Sequence, residues 1–262
     1  MGDGLLSLID WSVPLRYLIL SDIHSNLEAL EKCLALAGEK YDAVLCLGDL
    51  VGYGPDPNAV IERIRALAKV IVRGNHDKAC CGLMDLEDFN AVARIAAEWT
   101  RTQLTPEHFE FLRSLPGGPI RWNGLELVHG SPVDEDEYIM GPPEAIPAFQ
   151  TTDAPLIFFG HTHCQGGFLL AENGRLQTVQ TGLKKEEASA SVILEPGVRY
   201  LVNPGSTGQP RDGDWRSGFA IFDQGQHRLD FYRTPYDLAA TQRKMRQKDL
   251  PEPLVRRLEI GR

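Results

Sequence analysis

Five times along this chain a short apolar run rich in strand-forming residues stops at a side chain able to bind a metal or a phosphate. Residues 17–21 run into Asp22, 43–48 into Asp49, 70–74 into Asn75, 125–128 into His129, and 156–160 into His161. A sixth run, 200–202, ends at Asn203-Pro204-Gly205-Ser206. Short apolar runs bounded by turn residues predict buried strands. Between the first three lie stretches with helical spacing, 27–37 and 58–68, so the opening reads β-α-β-α-β with parallel strands. In such sheets ligands bind beyond the carboxyl ends of the strands, which would gather the polar run ends along one rim.

After Asp77 the spacing predicts helices over about 85–102 and over 106–114, and beyond that the chain reads largely β. Asn123-Gly124 and Asn173-Gly174 are hairpin signals, and Pro196-Gly197 also lies between extended runs. Residues 218–223 and 228–232 predict a last hairpin. A helix over about 236–248 and a segment packing through Leu254, Val255 and Leu258 follow. With no internal repeat and no low-complexity linker, residues 1–262 read as one domain, with 1–15 an N-terminal extension and 236–262 a C-terminal helical segment.

Charge and cysteine usage narrow the partners. Lysine and arginine total 27 against 36 acidic residues, a net charge of −9 that disfavours nucleic acid and acidic membrane surfaces. A phosphate ligand therefore needs local cations. No apolar run approaches the roughly 20 residues of a membrane span. The first residues lack a basic start followed by an apolar stretch, and Leu6 stands where a myristoylation signal has Ser or Thr. Five cysteines without a CxxC pair fit a reducing cytoplasm.

Five of the seven histidines, His24, His76, His129, His161 and His163, lie on or beside the run ends; His108 and His227 do not. With Asp22, Asp49 and Asn75 they make a mixed nitrogen and oxygen set, suited to manganese, iron or zinc rather than calcium. In Asp22-x-His24 and His161-x-His163 an extended backbone points both side chains the same way. Taken singly each piece has a plainer explanation: a solvated loop, a turn aspartate, a turn asparagine, a hydrogen-bonded histidine closing a strand. Their order is what distinguishes them. Asp22-x-His24, Gly48-Asp49, Gly74-Asn75-His76-Asp77, His129-Gly130 and Gly160-His161-x-His163 resemble the five motifs of the calcineurin-like metallophosphoesterase family, over roughly residues 17–223.

The resemblance implies an α/β fold, a four-layer α-β-β-α sandwich of two packed mixed sheets with two divalent transition-metal ions at their rim. Manganese is the first choice, with iron, zinc, nickel or cobalt as alternatives. By analogy one ion takes Asp22, His24 and His163, the other Asn75, His129 and His161, and Asp49 bridges them. A water shared by the ions is then the nucleophile. His76 does not bind metal in this pattern; it becomes the candidate for transition-state stabilisation or protonation of the leaving group, with Asp22 or Asp77 as its orienting partner.

For the substrate, the run Gly48-Asp49-Leu50-Val51-Gly52-Tyr53-Gly54 lacks the arginine of the GDxxxRG pattern carried by the family's protein phosphatases. Arg73 and Arg211 are the candidate phosphate-binding residues, a guanidinium offering a planar fork. The Asn203 to Ser206 stretch resembles the smaller bacterial and archaeal branch, many of whose members cleave phosphodiesters. The expectation is hydrolysis of phosphodiester bonds in small soluble substrates, the alternatives being a phosphomonoesterase, a dinucleoside polyphosphate hydrolase or a non-catalytic scaffold. The acidic stretch 134–137 reads as a solvated loop, and Cys164 as a packed neighbour of the site.

Overall fold

The computed structural model of the chain describes residues 15–87 and 89–262; apart from Leu15, the N-terminal extension, including Leu6, lies outside them. Three parallel strands open the chain, β1 (Arg16–Leu20), β2 (Ala43–Cys46) and β3 (Ala68–Ile71), joined by helices α1 (Leu27–Ala37) and α2 (Pro57–Leu67). Three antiparallel strands, β9 (Ser189–Ile193), β11 (Ser217–Asp223) and β12 (Arg228–Thr234), complete the first sheet in the order β3-β2-β1-β11-β12-β9. The second sheet comprises β4 (Ile120–Trp122), β5 (Leu125–Leu127), β6 (Leu156–Phe158), β7 (Gly166–Leu170), β8 (Leu176–Val179) and β10 (Arg199–Asn203), in the order β4-β5-β6-β10-β7-β8. Strands β5, β6 and β10 run parallel, so their carboxyl ends also share a rim.

Alternation along each strand divides the core. In β1, Tyr17 and Ile19 enter the cluster between the sheets with Leu45, Phe158, Val202, Phe222 and Phe231. Leu18 and Leu20 face the other way, against Leu30, Cys33, Val60 and Ile61 of α1 and α2. On the far side Ile157 and Leu201 meet Ala145, Ala148 and Phe149 of helix α6 (Pro142–Thr151). Each sheet thus buries both faces, one on its partner sheet and one on helices. The result is the four-layer α-β-β-α order.

Three details depart from the sequence pattern. Helix α4 (Ala91–Gln103) begins several residues later than its periodicity, because the Asn90 side chain accepts the Ala93 N–H at 3.0 Å and caps it there. Helix α6 stands inside the region that reads as β. Its prolines hide it, yet Pro142 and Pro143 sit in the first turn, where the missing N–H costs nothing. Pro196-Gly197 joins β9 to β10, which belong to different sheets, so it turns the chain from one layer to the other.

Helices α3 (Asn75–Cys80) and α5 (Pro106–Ser114) flank α4, and α7 (Leu238–Gln247) with α8 (Glu252–Ile260) follows the last hairpin. Leu254, Val255 and Leu258 pack with Tyr53, Ala93, Ala96 and Met245. Among the described residues no helix is long and apolar enough to cross a membrane. Phe158, fully buried between the sheets, tests this layering. Phe158→Ala should cost about 3–5 kcal/mol of stability, read from the urea midpoint, if the inter-sheet core is close-packed.

Candidate metal centre

Every candidate ligand stands just past the carboxyl end of a parallel strand: Asp22 and His24 after β1, Asp49 after β2, Asn75 after β3, His129 after β5, His161 and His163 after β6. The chain must turn sharply there. Asp22, His24, Asp49, His161 and His163 all have positive φ, between 49° and 66°. Aspartate and histidine tolerate this left-handed region better than most residues, but each such residue still costs on the order of 1–3 kcal/mol and survives only where its surroundings hold it. Backbone bonds between neighbouring loops do the holding: Asp22 N–H to Gly48 O at 3.1 Å, His24 N–H to Asp49 O at 2.9 Å, Gly160 N–H to His129 O at 2.8 Å. Two glycines let the loops close. A Cβ on Gly74 would lie 2.0 Å from Asp49 Oδ1, and one on Gly160 would lie 2.1 Å from Ser21 Oγ.

The loops bring the donors into two groups. Ligand atoms of Asp22, His24, Asp49 and His163 lie within 4.8 Å of one another, as do those of Asp49, His129 and His161. Asn75 joins the second group, its Oδ1 3.2 Å from His129 Nε2. Asp49 belongs to both. Its Oδ1 accepts the His76 N–H at 2.9 Å, while its Oδ2 is buried with no hydrogen-bond partner, 3.5 Å from His24 Nε2 and 3.5 Å from His129 Nε2.

The far nitrogen of each imidazole fixes its tautomer. A carbonyl can only accept, so the nitrogen beside it carries the proton. His24 Nδ1 donates to Val51 O (3.0 Å), His129 Nδ1 to Leu47 O (2.8 Å), His163 Nδ1 to Gln209 O (2.6 Å) and His161 Nε2 to Asp136 O (3.0 Å). The lone pairs that remain face inward. Nε2 of His24 and of His163 stand 3.1 Å apart, and so do His129 Nε2 and His161 Nδ1. Two lone pairs at that distance repel unless a cation lies among them, and carbonyl-braced imidazoles are the usual setting of metal ligands. The donor set fits divalent metal.

Burial sets the charge state. Desolvation pushes the Asp22 carboxyl up to about 6, against the pull of His129. Asp49 is raised well above the carboxylate range, first by burial and then by the Asp77 charge. Burial, reinforced by neighbouring cations, holds His24, His76 and His163 well below the ordinary imidazole value and His161 down at about 2. Without a cation the cluster therefore favours neutral imidazoles and a protonated Asp49.

The surrounding residues divide into those that reach the cluster and those that brace it. His76 lines a cleft of about 230 Å³ with Asn75, Tyr138 and His161. Asp77 does not orient it, because Oδ1 accepts from the Leu50 and Val51 amides and Oδ2 from the Gly74 amide, clamping the loop that carries Asp49. Asp22 is likewise engaged elsewhere, by Ser21 Oγ and the His161 amide. Arg73 pairs with Glu135 at 3.1 Å. Arg211 lies nearer, and its field acts on Asp22, Asp49 and four of the histidines.

Of the acidic stretch 134–137 only Asp134 is exposed to solvent. Glu135 and Asp136 are half-buried against the buried ammonium of Lys78, the Asp136 carbonyl braces His161, and the Tyr138 ring stacks on His161 with centroids 3.7 Å apart. Sequence reasoning also passed over Tyr53, whose ring touches His24 and His76 with centroids at 4.6 and 4.3 Å. The Asn203 stretch stitches two loops together: Asn203 Nδ2 donates to Gly160 O at 2.7 Å and Ser206 Oγ to Asp22 O at 2.7 Å. Cys164 is half-buried, its thiol turned to Thr162 O.

Comparison with known proteins agrees with this architecture. The family profile described as calcineurin-like phosphoesterase matches residues 15–165. An uncharacterized protein of Methanocaldococcus jannaschii is 36% identical over 250 residues, 93% of this chain and 97% of the relative. A crystal structure of a metallophosphoesterase from Sphaerobacter thermophilus superimposes with a TM-score of 0.82 at 41% identity, covering 95% of this chain and all of that one. A hypothetical protein of Pyrococcus horikoshii shares the fold at 20% identity, with a TM-score of 0.71 and coverage of 94% and 98%.

Two outcomes follow from the charge state and the packing. Because Asp22 holds a proton below about pH 6 in the metal-free fold, metal uptake should release protons and weaken by up to tenfold per unit as pH falls below that value. Calorimetric titration at pH 5 and 7.5 measures this. Gly74→Ala, by displacing Asp49, should lower metal content after dialysis at least tenfold while the far-ultraviolet circular dichroism stays unchanged.

Proposed function

The chain belongs to the calcineurin-like phosphoesterase family, and from that premise we propose that it is a dinuclear, metal-dependent hydrolase of phosphodiester bonds in small substrates. The observation that carries this reading is the buried, unpartnered Asp49 Oδ2, equidistant from one histidine of each group. A desolvated carboxylate oxygen in that position is costly unless cations lie on both sides of it. Asp22, His24 and His163 then hold one ion and Asn75, His129 and His161 the other. The nitrogen-rich donor set supports manganese first, and iron, zinc, nickel or cobalt after it.

Bound there, two divalent ions supply an activated water and a sink for the charge that develops on the phosphoryl oxygens. The chain's own part is positioning. Carbonyl-braced imidazoles keep the donors aimed inward, and the packed loops exclude bulk water from the cluster. Arg211 adds a fixed positive charge beside the phosphoryl group. His76, neutral through burial in the free fold, lines the cleft; an arriving phosphate anion would oppose the burial effect and raise its basicity, so that the imidazole takes a proton from solvent and, as imidazolium, gives it to the departing oxygen.

The run after Asp49 has no arginine, and the Asn203 to Ser206 stretch ties the Asp22 and Gly160 loops together. Both support a small-substrate diesterase over a protein phosphatase. Four buried free cysteines fit work in a reducing compartment.

The test is hydrolysis of bis(4-nitrophenyl) phosphate and 4-nitrophenyl phosphate by manganese-loaded protein. Preference for the diester is expected. A strong monoester preference reverses the assignment, and absence of any metal-stimulated hydrolysis removes it. His76→Ala should keep its metal but lose about 10²–10⁴-fold in kcat on esters with poor leaving groups, and much less on 4-nitrophenyl esters, whose leaving group needs little proton donation.

A further inference from the structure

Against the ring of Tyr53 two guanidinium groups converge. Arg211 Cζ lies 5.7 Å and Arg257 Cζ 5.9 Å from the centroid of the Tyr53 ring. That ring in turn touches His24 and His76. Arg211 donates through Nη2 to Gln209 Oε1 at 3.1 Å and Tyr53 Oη at 3.4 Å, while its Nε is buried without a partner. Arg257 donates through Nε to the main-chain oxygen of Arg262. Among the described residues neither meets a carboxylate side chain. Arg73 pairs with Glu135, Arg216 with Asp214 and Arg233 with Asp212, while Arg101 and Arg199 are spent on main-chain carbonyls; among the described residues only Arg211 and Arg257 share one aromatic ring.

Like charges brought close together in a partly desolvated place raise the energy of the fold. Arg257 shows that cost, since burial and then the Arg211 charge both lower its hold on its proton. Helix α8 nevertheless keeps it there, anchored by Leu254, Val255 and Leu258 in the apolar cluster that includes Tyr53. The two arginines also differ in reach. Arg211 acts on residues of both ligand groups, whereas Arg257 is felt by His76 and Tyr53. An anion between them would lie one aromatic ring away from the reacting phosphoryl group.

We propose that Arg257, with Arg211 and Tyr53, forms a subsite for a second phosphate of the substrate, so that the chain acts on phosphodiesters that bear a further phosphate group. This rests on the phosphoesterase reading and narrows its substrate class. Guanidinium forks bind phosphate in two-pronged fashion, and Tyr53 Oη offers a neutral donor between them.

The test compares two esters that differ only in the second phosphate: thymidine 5′-(4-nitrophenyl phosphate) and its 3′-phosphorylated derivative. Manganese-loaded wild-type protein should favour the phosphorylated ester at least tenfold in kcat/KM, chiefly through KM. Arg257→Gln should erase most of that advantage and Arg257→Lys should retain part of it. A binding arm uses no turnover: thymidine 3′,5′-bisphosphate should raise Tm more than thymidine 5′-monophosphate in wild type, and equally in Arg257→Gln. Equal use of the two esters by wild type, or an undiminished advantage in Arg257→Gln, overturns the subsite. If neither ester is cleaved the phosphoesterase reading fails, while the Tm comparison still decides the subsite.

Discussion

A carboxylate at the centre of a desolvated ring of imidazoles governs this molecule. Asp49 lies at the end of an apolar strand with one oxygen tied to a backbone amide and the other facing histidines from both sheets. Water cannot solvate it there, and burial drives it toward its protonated form. Only charge brought in from outside the chain reconciles an ionised Asp49 with the surrounding packing. The inward lone pairs, the carbonyl braces and the glycine contacts at Gly74 and Gly160 all follow from bringing that one group and its neighbours to a common point.

Holding the point is expensive, and the expense is spread over the loops. Five candidate ligands adopt left-handed backbone conformations, which the chain sustains by lacing adjacent turns together. Asp77 clamps the Asp49 loop through three amides. Ser206 and Thr207 bond to the Asp22 turn, and Asn203 to the Gly160 turn. Lys78 of α3, nearly inaccessible, reaches Glu135 and Asp136 in the loop after β5, so that the Asp136 carbonyl meets His161. Rigid elements set the direction of each ligand, and these cross-links set its distance.

Much of this was legible in the chain alone. Strand ends announced themselves because apolar runs of strand length stopped at donors, and the α1 boundaries matched their helical spacing, with Asn26 as cap. Helix α6 was hidden by three prolines, two of which its first turn absorbs while Pro147 lies inside it. The brace around Lys78 was invisible, since residues 57 and 58 positions apart meet only after the sheets stack. Tyr53 and Arg257 were missed for the same reason: one looked like a turn residue, the other like the polar face of a terminal helix. Arg73 and Arg211 looked equivalent, and only the fold shows that Glu135 occupies one guanidinium while the other faces the cluster.

The pairing of β1 with β11 has a consequence for synthesis. Strand β1 lies in the interior of the first sheet, between β2 and a strand some two hundred residues later. A nascent chain emerging from the ribosome can form the β1-α1-β2-α2-β3 unit early, presenting Asp22, His24, Asp49 and Asn75 while their counterparts on β5 and β6 are still unmade. The exposed edge of β1 must then wait for β11, and half a chelating site is open to the cell's ions meanwhile. All the donors of the candidate centre can meet only after translation has passed the segment that laces the loops shut.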